Sequence, residues 1–134
     1  EQKLSWYNRQ FYVKVCCGTF DGDAFLGDLV EAIRLKLLRS RRNVPHLKVF
    51  AEGEDGTFCK ISLLGVDYEP QYDSRLGRPC TDLPVIINAR AACESRLLAG
   101  IMDEALAETT KKYNLDTVVF FTECFGIIDE GRLS

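Results

Sequence analysis

The residues best suited to chemistry lie in one stretch of the chain, residues 65–83. The stretch has no hydrophobic periodicity and is longer than most loops of a compact domain, and loops of that length usually carry function. Its candidate ligand-binding residues are two tyrosines, one aspartate and two arginines, namely Tyr68, Tyr72, Asp73, Arg75 and Arg78. Because arginine binds carboxylate and phosphate groups through paired hydrogen bonds, these residues indicate a small-molecule site. One predicted function is therefore an enzyme whose site lies near this stretch, where two subunits meet.

The sequence leaves any catalytic residues unknown and predicts neither a metal nor a cofactor. It contains neither a glycine-rich phosphate-binding motif nor a Gly-x-Ser-x-Gly motif. His46 is the only histidine, so a cysteine–histidine nucleophile pair would require Cys93 to meet it in space. Whether the protein is an enzyme stays open on these residues alone.

A second group of residues has the character of a nucleic-acid surface. Its members are Tyr12, Lys14, Lys48, Phe50, Phe58 and Lys60. Side chains alternate between the two faces of a strand, and this alternation places all six on one face of a sheet. Aromatic rings there would stack on bases and the lysines would hold phosphates. The net charge of −3 does not favour nucleic acid as the partner, so an RNA-binding sheet is an alternative function.

The elements that must position these residues are clearest in residues 84–123. An apolar strand at 85–87 leads into a helical pattern at 91–113, and a second apolar strand follows at 118–121. This order predicts a βαβ unit. Asn114 is expected to end the helix in a left-handed turn.

The first half of the chain repeats this order and adds a hairpin. The predicted elements are a strand at 11–17, a helix at 24–40, a strand at 47–52 and a return strand at 57–64. Asp21 or Asp23 is placed to cap the helix. The Asp55-Gly56 pair favours a tight turn between the last two strands.

Together these elements predict an α+β fold with a mixed sheet, both helices on one face, and a ferredoxin-like βαβ-β-βαβ layout. Right-handed crossovers are the reason that both helices are expected on the same side. The chain is predicted to be one domain, residues 1–134. Its less regular parts are an N-terminal arm at 1–10, the long loop at 65–83 and a C-terminal tail at 124–134.

The leading functional prediction follows from a contrast between strands. The early strands alternate apolar and polar residues, whereas 85–87 and 118–121 are apolar at successive positions. Strands of the second kind are usually covered on both faces, and an exposed apolar patch marks an interface. We therefore predict a small assembly module, a homo-oligomer or a subunit of a complex, that uses the sheet face without helices.

Cysteine usage and hydropathy bear on location. Of six cysteines, Cys16 and Cys17 are adjacent in a predicted strand and so point to opposite faces. There is no Cys-x-x-Cys motif, so the cysteines indicate reduced thiols and an intracellular, cytoplasmic location. No apolar run approaches the roughly 18 residues that a membrane span requires, and no membrane partner is expected.

Overall fold

The computed structural model describes residues 4–43 and 46–127. Within these residues the chain forms two helices, α1 (Gly22–Arg39) and α2 (Ser95–Lys112). The strands are β1 (Leu4–Val15), β2 (Phe20–Asp21), β3 (His46–Glu52), β4 (Phe58–Leu63), β5 (Gln71–Ser74), β6 (Pro79–Cys80), β7 (Asp82–Ala91) and β8 (Leu115–Ile127). Six of them form one sheet, and β2 pairs with β6 in a separate ribbon.

The sheet has the strand order β5-β4-β3-β7-β1-β8, and every neighbouring pair is antiparallel. One helix-linked unit is β1-α1-β3 and the other is β7-α2-β8. The two units interleave in the sheet, because β7 lies between β1 and β3 and β1 lies between β7 and β8. The strands joined by a helix are therefore parallel but never adjacent. The α+β class is confirmed, whereas the mixed sheet was wrong. The ferredoxin-like layout is not confirmed, since the strand order differs and β4 and β5 extend the sheet beyond β3.

Both helices pack on the same face of the sheet. On β3, Leu47, Val49 and Ala51 are buried beneath the helices, while the intervening residues are exposed. The same alternation runs through all of β7. The buried stripe of α1 consists of Phe25, Leu26, Leu29, Val30, Ile33 and Leu37. We call the covered side the helix face and the opposite side the open face; the open face carries the alternate side chains of each strand, such as Phe50 and Ile86.

Three local signals in the sequence are confirmed. The Asp21 carboxylate accepts a hydrogen bond from the Ala24 backbone N–H at 3.0 Å and caps α1. Asn114 ends α2 in the left-handed region with φ 56°. Gly56 occupies the same region in the β3–β4 turn, with φ 83°. Each of these features depends on a few adjacent residues, and this is why it could be recognised without the fold.

The predicted ends of several elements were wrong because pairing extends the strands. β1 begins at Leu4, so residues 4–10 of the predicted arm are strand, and residues 1–3 lie outside the described residues. β1 also ends at Val15, which leaves Cys16 and Cys17 exposed on a bend. β8 continues through residues 124–127 of the predicted tail, and residues 128–134 lie outside the described part.

The 65–83 stretch contains regular structure that its sequence pattern does not reveal. β5 adds to the edge of the main sheet beside β4, and β6 pairs with β2. β7 begins at Asp82 and continues to Ala91, so α2 starts at Ser95 rather than at residue 91. The strands β5 and β6 are too short, at four and two residues, for a period to be recognised.

Asp28 connects the two helices and leads to a testable prediction. Its carboxylate accepts hydrogen bonds from Lys112 Nζ at 2.8 Å and from the Tyr113 hydroxyl at 2.6 Å. Burial alone would raise the pKa of Asp28, but these two hydrogen bonds outweigh it and hold the pKa below its ordinary value. A lowered folded-state pKa means that the ionised carboxylate stabilises the fold above about pH 4 and that this stabilisation is lost as the pH falls further.

Asp28→Asn should lower the free energy of unfolding at pH 7 by about 1 kcal/mol. The effect is limited because the Asp28 side chain is 42% exposed. Urea unfolding of both proteins at several pH values measures it. The difference between them should be constant above about pH 5 and should shrink as the pH falls below about 4, because the unfolded chain then binds the proton before the folded protein does. A difference that does not change with pH would contradict an ionic role for Asp28.

Candidate assembly surface

Two of the five candidate ligand-binding residues dock the 65–83 stretch onto α1. The Tyr72 hydroxyl donates to the Asp23 carbonyl oxygen at 3.1 Å, and the Arg75 guanidinium lies 3.7 Å from the centre of the Tyr72 ring. The Asp23 carboxylate accepts hydrogen bonds from the backbone N–H groups of Leu76 and Gly77, at 2.7 and 2.9 Å. These contacts give Tyr72 and Arg75 a structural role at the N-terminus of α1.

The other three candidates do not converge on one site in the described residues. Asp73 accepts a hydrogen bond from Ser62 Oγ at 2.9 Å. Arg78 forms an ion pair with Asp55 in the β3–β4 turn, at 3.0 Å. Tyr68 is 62% exposed. A cavity of about 180 Å³ near this turn is lined by Arg78 but by none of the other four candidates. The ligand-binding role of the five residues therefore stays a prediction.

The docking of Tyr72 can be tested with a pair of helical glycines. A Cβ atom at Gly27 in α1 would overlap the Tyr72 hydroxyl, whereas one at Gly100 in α2 would meet nothing within 4 Å. Gly100→Ala should raise the free energy of unfolding by about 1 kcal/mol through helix propensity. Gly27→Ala has the same propensity gain, but it should lower the free energy by about 1 kcal/mol or more because the displaced Tyr72 loses its hydrogen bond.

Urea unfolding of the two glycine variants beside the wild type gives the comparison. Equal stabilisation by both substitutions would mean that the Tyr72 contact adds nothing to the fold. A proteolysis assay on Gly27→Ala should also show faster cleavage within 65–83, because undocked segments are cleaved first.

The open face is arranged in rows of cross-strand neighbours. One row crosses all six strands and consists of Ser74, Lys60, Phe50, Ile86, Gln10 and Phe121. We call it the central row. Its apolar members Phe50, Ile86 and Phe121 are 37%, 39% and 46% exposed. The row places three large apolar side chains in solvent on the same surface.

Aromatic rings continue this surface beside the central row. Phe58 lies next to Phe50, with ring centroids 5.5 Å apart and ring planes inclined by 32°. Tyr12 lies 6.5 Å from Phe120, between ring centroids, and its cross-strand neighbour is the exposed Val118. We call these residues together with Ile86 and Phe121 the apolar band; its seven members are Tyr12, Phe50, Phe58, Ile86, Val118, Phe120 and Phe121. It extends from β4 to β8.

Charged residues lie on both sides of the central row, and the balance of their charge differs between the two sides. Glu52, Asp82 and Asp116 lie on one side of the central row, with Lys14 between the two aspartates. Lys48 and Arg90 lie on the other side with Glu123, and Lys60 lies in the row itself. Along β1, β3, β4, β7 and β8 the open face carries four cations, Lys14, Lys48, Lys60 and Arg90, and four carboxylates, Glu52, Asp82, Asp116 and Glu123. The two sets cancel, so this face has no net charge. One end is acidic on balance, with three carboxylates beside Lys14, and the other is basic on balance, with two cations beside Glu123.

All six residues of the predicted nucleic-acid surface lie on the open face, as their alternation indicated. Their surroundings differ from those of a strongly basic surface, because Lys14 has Asp82 and Asp116 as its cross-strand neighbours. A hydrogen bond to Asp82 raises the pKa of Tyr12. Nucleic-acid affinity depends on excess positive charge, which this face lacks. The nucleic-acid role stays a prediction.

Sequence reasoning missed one part of the open face. Trp6 lies between Arg90 and Phe125 as cross-strand neighbours, and the Arg90 guanidinium lies 4.7 Å from the centre of the Trp6 ring. The signal was present, because the alternation that includes Tyr12 continues backwards through β1 to Trp6. The polar residues between them concealed it.

The structure weakens the interpretation of Cys93 as a nucleophile. Cys93 precedes α2 rather than lying in its first turn, and its carbonyl oxygen accepts a hydrogen bond from Ser5 Oγ at 2.6 Å. Burial raises the pKa of the Cys93 thiol, and a neutral thiol is a poor nucleophile. His46 lies on the open side of β3, where burial and the charges of Lys48 and Arg90 lower its pKa.

No family model, curated protein or solved structure matches this chain. Among the described residues, no three His, Cys, Asp or Glu side chains are grouped so that they could hold a metal ion. Neither of the described helices is long and apolar enough to cross a membrane. Function must therefore be inferred from the surface chemistry of the chain itself.

Proposed function

We propose that this protein is an assembly module and that its open face packs against the open face of a second copy of the chain. The observation that carries the proposal is the apolar band, which extends from β4 to β8, is interrupted in the central row only by Gln10, and is largely exposed to solvent in a single chain. Scattered apolar side chains are normal on protein surfaces, but a contiguous patch of this kind usually marks an interface.

The dimensions of the open face suit a dimer. Six strands at a spacing of about 4.8 Å span about 24 Å, and five rows along the strands span about 27 Å. The face therefore covers roughly 650 Å² per copy, or about 1,300 Å² in a pair, which lies within the range of stable protein interfaces. Two open faces would bury the apolar band of each copy against that of the other.

The charge of the face also favours a second copy. Because its four cations and four carboxylates cancel, two identical faces meet without accumulating charge of one sign. A strongly basic face would be repelled by its own copy and would attract nucleic acid instead. Neutral balance beside an apolar centre is the pattern of a protein interface, in which charged groups lie at the rim.

The free edge of β8 is a less suitable place for the second copy. If two β8 edges paired with Val118 of each opposite Phe121 of the other, Asp116 would lie opposite Glu123 at both ends. Like charges directly across a strand pair are destabilising. β8 also has an irregularity in its register with β1 at residues 10 and 11, and such bulges discourage pairing at a sheet edge. These features favour contact through the face.

The mass of the protein in solution tests the proposal. A single chain has a mass of 15.2 kDa. Sedimentation equilibrium from about 1 to 100 µM protein should show a species of twice that mass. A monomer throughout this range would overturn the proposal. In parallel, titration with single-stranded RNA should show no binding. Salt-dependent RNA binding at micromolar or lower concentration would support the nucleic-acid alternative.

A further inference from the structure

We infer that the two copies are related by a two-fold axis that lies between the sheets and runs along the central row, so that their strands are antiparallel across the interface. This inference rests on the proposed function and specifies how the partner is oriented. It follows from the positions of the charged residues on the two central strands, β3 and β7.

Each central strand carries opposite charges at equal distances from the central row. On β3, Phe50 lies midway between Lys48 and Glu52. On β7, Ile86 lies midway between Asp82 and Arg90. Phe50 and Ile86 are cross-strand neighbours, so the two midpoints coincide in one row. The charges of these two strands therefore form a pattern that a half-turn about this row maps onto its opposite, whereas Lys60 lies in the row itself and is mapped onto the partner's Lys60.

An axis along the row places the acidic end of one copy over the basic end of the other. Lys48 then faces the partner's Glu52, and Asp82 faces the partner's Arg90, with each pair formed twice by symmetry. Facing sheets pack about 10 Å apart, a distance that these long side chains can span. Phe50 and Ile86 meet the same residues of the partner at the axis, and Lys60, near the β4 end of the row, lies beside the partner's Lys60.

The alternative axis, parallel to the strands, gives the opposite result. It would place Glu52 near the partner's Glu52 at the acidic end and Lys48 near the partner's Lys48 at the basic end. Like charges brought together at an interface are unfavourable. The axis along the row gives four opposite-charge pairs from β3 and β7 against the single Lys60 pair, whereas the axis parallel to the strands gives only like charges from β3. The apolar band allows both axes, and the charges of the two central strands favour the axis along the row.

Charge exchange along β3 tests the orientation. Glu52→Lys and Lys48→Glu each place like charges at two symmetric positions and should raise the dissociation constant of the dimer about tenfold or more. The double variant Glu52→Lys/Lys48→Glu restores opposite charges and should return to within about threefold of the wild type. Lys111→Glu, a charge reversal at the exposed end of α2, is the matched control and should leave the dissociation constant unchanged.

A mixture of the two single variants provides a check on folding. The Glu52→Lys chain carries two lysines and the Lys48→Glu chain carries two glutamates, so together they should form a heterodimer about as tight as the wild-type dimer. Recovery in the mixture shows that both single variants are folded. A double variant as weak as either single variant would overturn the orientation.

The outcomes separate the orientation from the proposed function. If the wild type dimerises, Phe50→Lys disrupts the dimer and both β3 charge reversals have no effect, the open face is used in another orientation and this inference fails alone. If the wild type is a monomer at 100 µM, both the inference and the proposed function fail.

Discussion

Replacing Phe50 with lysine is expected to raise the dissociation constant of the dimer by about a hundredfold or more. The two-fold axis brings Phe50 of both copies together at the centre of the interface, so one substitution removes two aromatic rings. It also places two ammonium groups in a site without carboxylate partners, where burial of an unpaired charge is costly. Sedimentation equilibrium at several concentrations measures the change.

The matched control is Leu38→Lys. Leu38 lies near the C-terminal end of α1, away from the sheet, and at 44% it is about as exposed as Phe50 at 37%. Lysine is favourable in that last helical turn, so this variant should dimerise as the wild type does. Equal weakening by both substitutions would indicate a general effect of added charge. No weakening by Phe50→Lys would exclude the open face as the interface.

Replacing Phe25 with alanine is expected to lower the free energy of unfolding by about 3 to 5 kcal/mol. Phe25 is completely buried in the first part of α1. Its ring meets Phe20 edge-to-face, with centroids 6.1 Å apart, and Tyr113 in the same way at 5.6 Å. The substitution would leave a cavity where the β2–β6 ribbon, α1 and the end of α2 meet, and it would remove both ring pairs.

A loss of this size is a large part of the stability of an ordinary domain. Urea unfolding monitored by circular dichroism, with protein concentration held constant because a dimer unfolds in a concentration-dependent way, gives the measurement. Leu38→Ala is the control, since Leu38 lies on α1 outside the apolar band, is 44% exposed, and its loss should change the stability by no more than about 0.5 kcal/mol. A cost below about 1 kcal/mol for Phe25→Ala would contradict the packing described here.

The two large predictions differ in how far the sequence alone leads to them. Phe50 was predicted to lie on an outward face from alternation within β3, which is a local property. Phe25 was not predicted as a core residue, although it lies one turn before Leu29 in α1. Its importance comes from Phe20 and Tyr113, which are brought to it by the ribbon and by the end of the other helix. Contacts of this kind have no local signature.

The 65–83 stretch shows the same limit at the level of a site. Its tyrosines and arginines have the chemistry of a binding site, and the sequence contains no sign that Tyr72 and Arg75 are occupied in docking. That role depends on Asp23, which is far away in the chain but adjacent in space. The absence of a side chain at Gly27 makes room for Tyr72, and this relationship appears only when α1 and the stretch are placed together.

By itself, the sequence determined the helices, the β3–β4 turn, the caps and the alternation that puts lysines and aromatic residues on one face. These features depend on residues within a few positions of one another, where backbone preference and side-chain period act. Only the tertiary structure decided that β7 lies between β1 and β3. That placement aligns Ile86 with Phe50 and brings Asp82 and Arg90 onto the face with Glu52 and Lys48. Strand order depends on contacts between distant residues, so the charge pattern on which the proposed dimer rests exists only in the folded sheet.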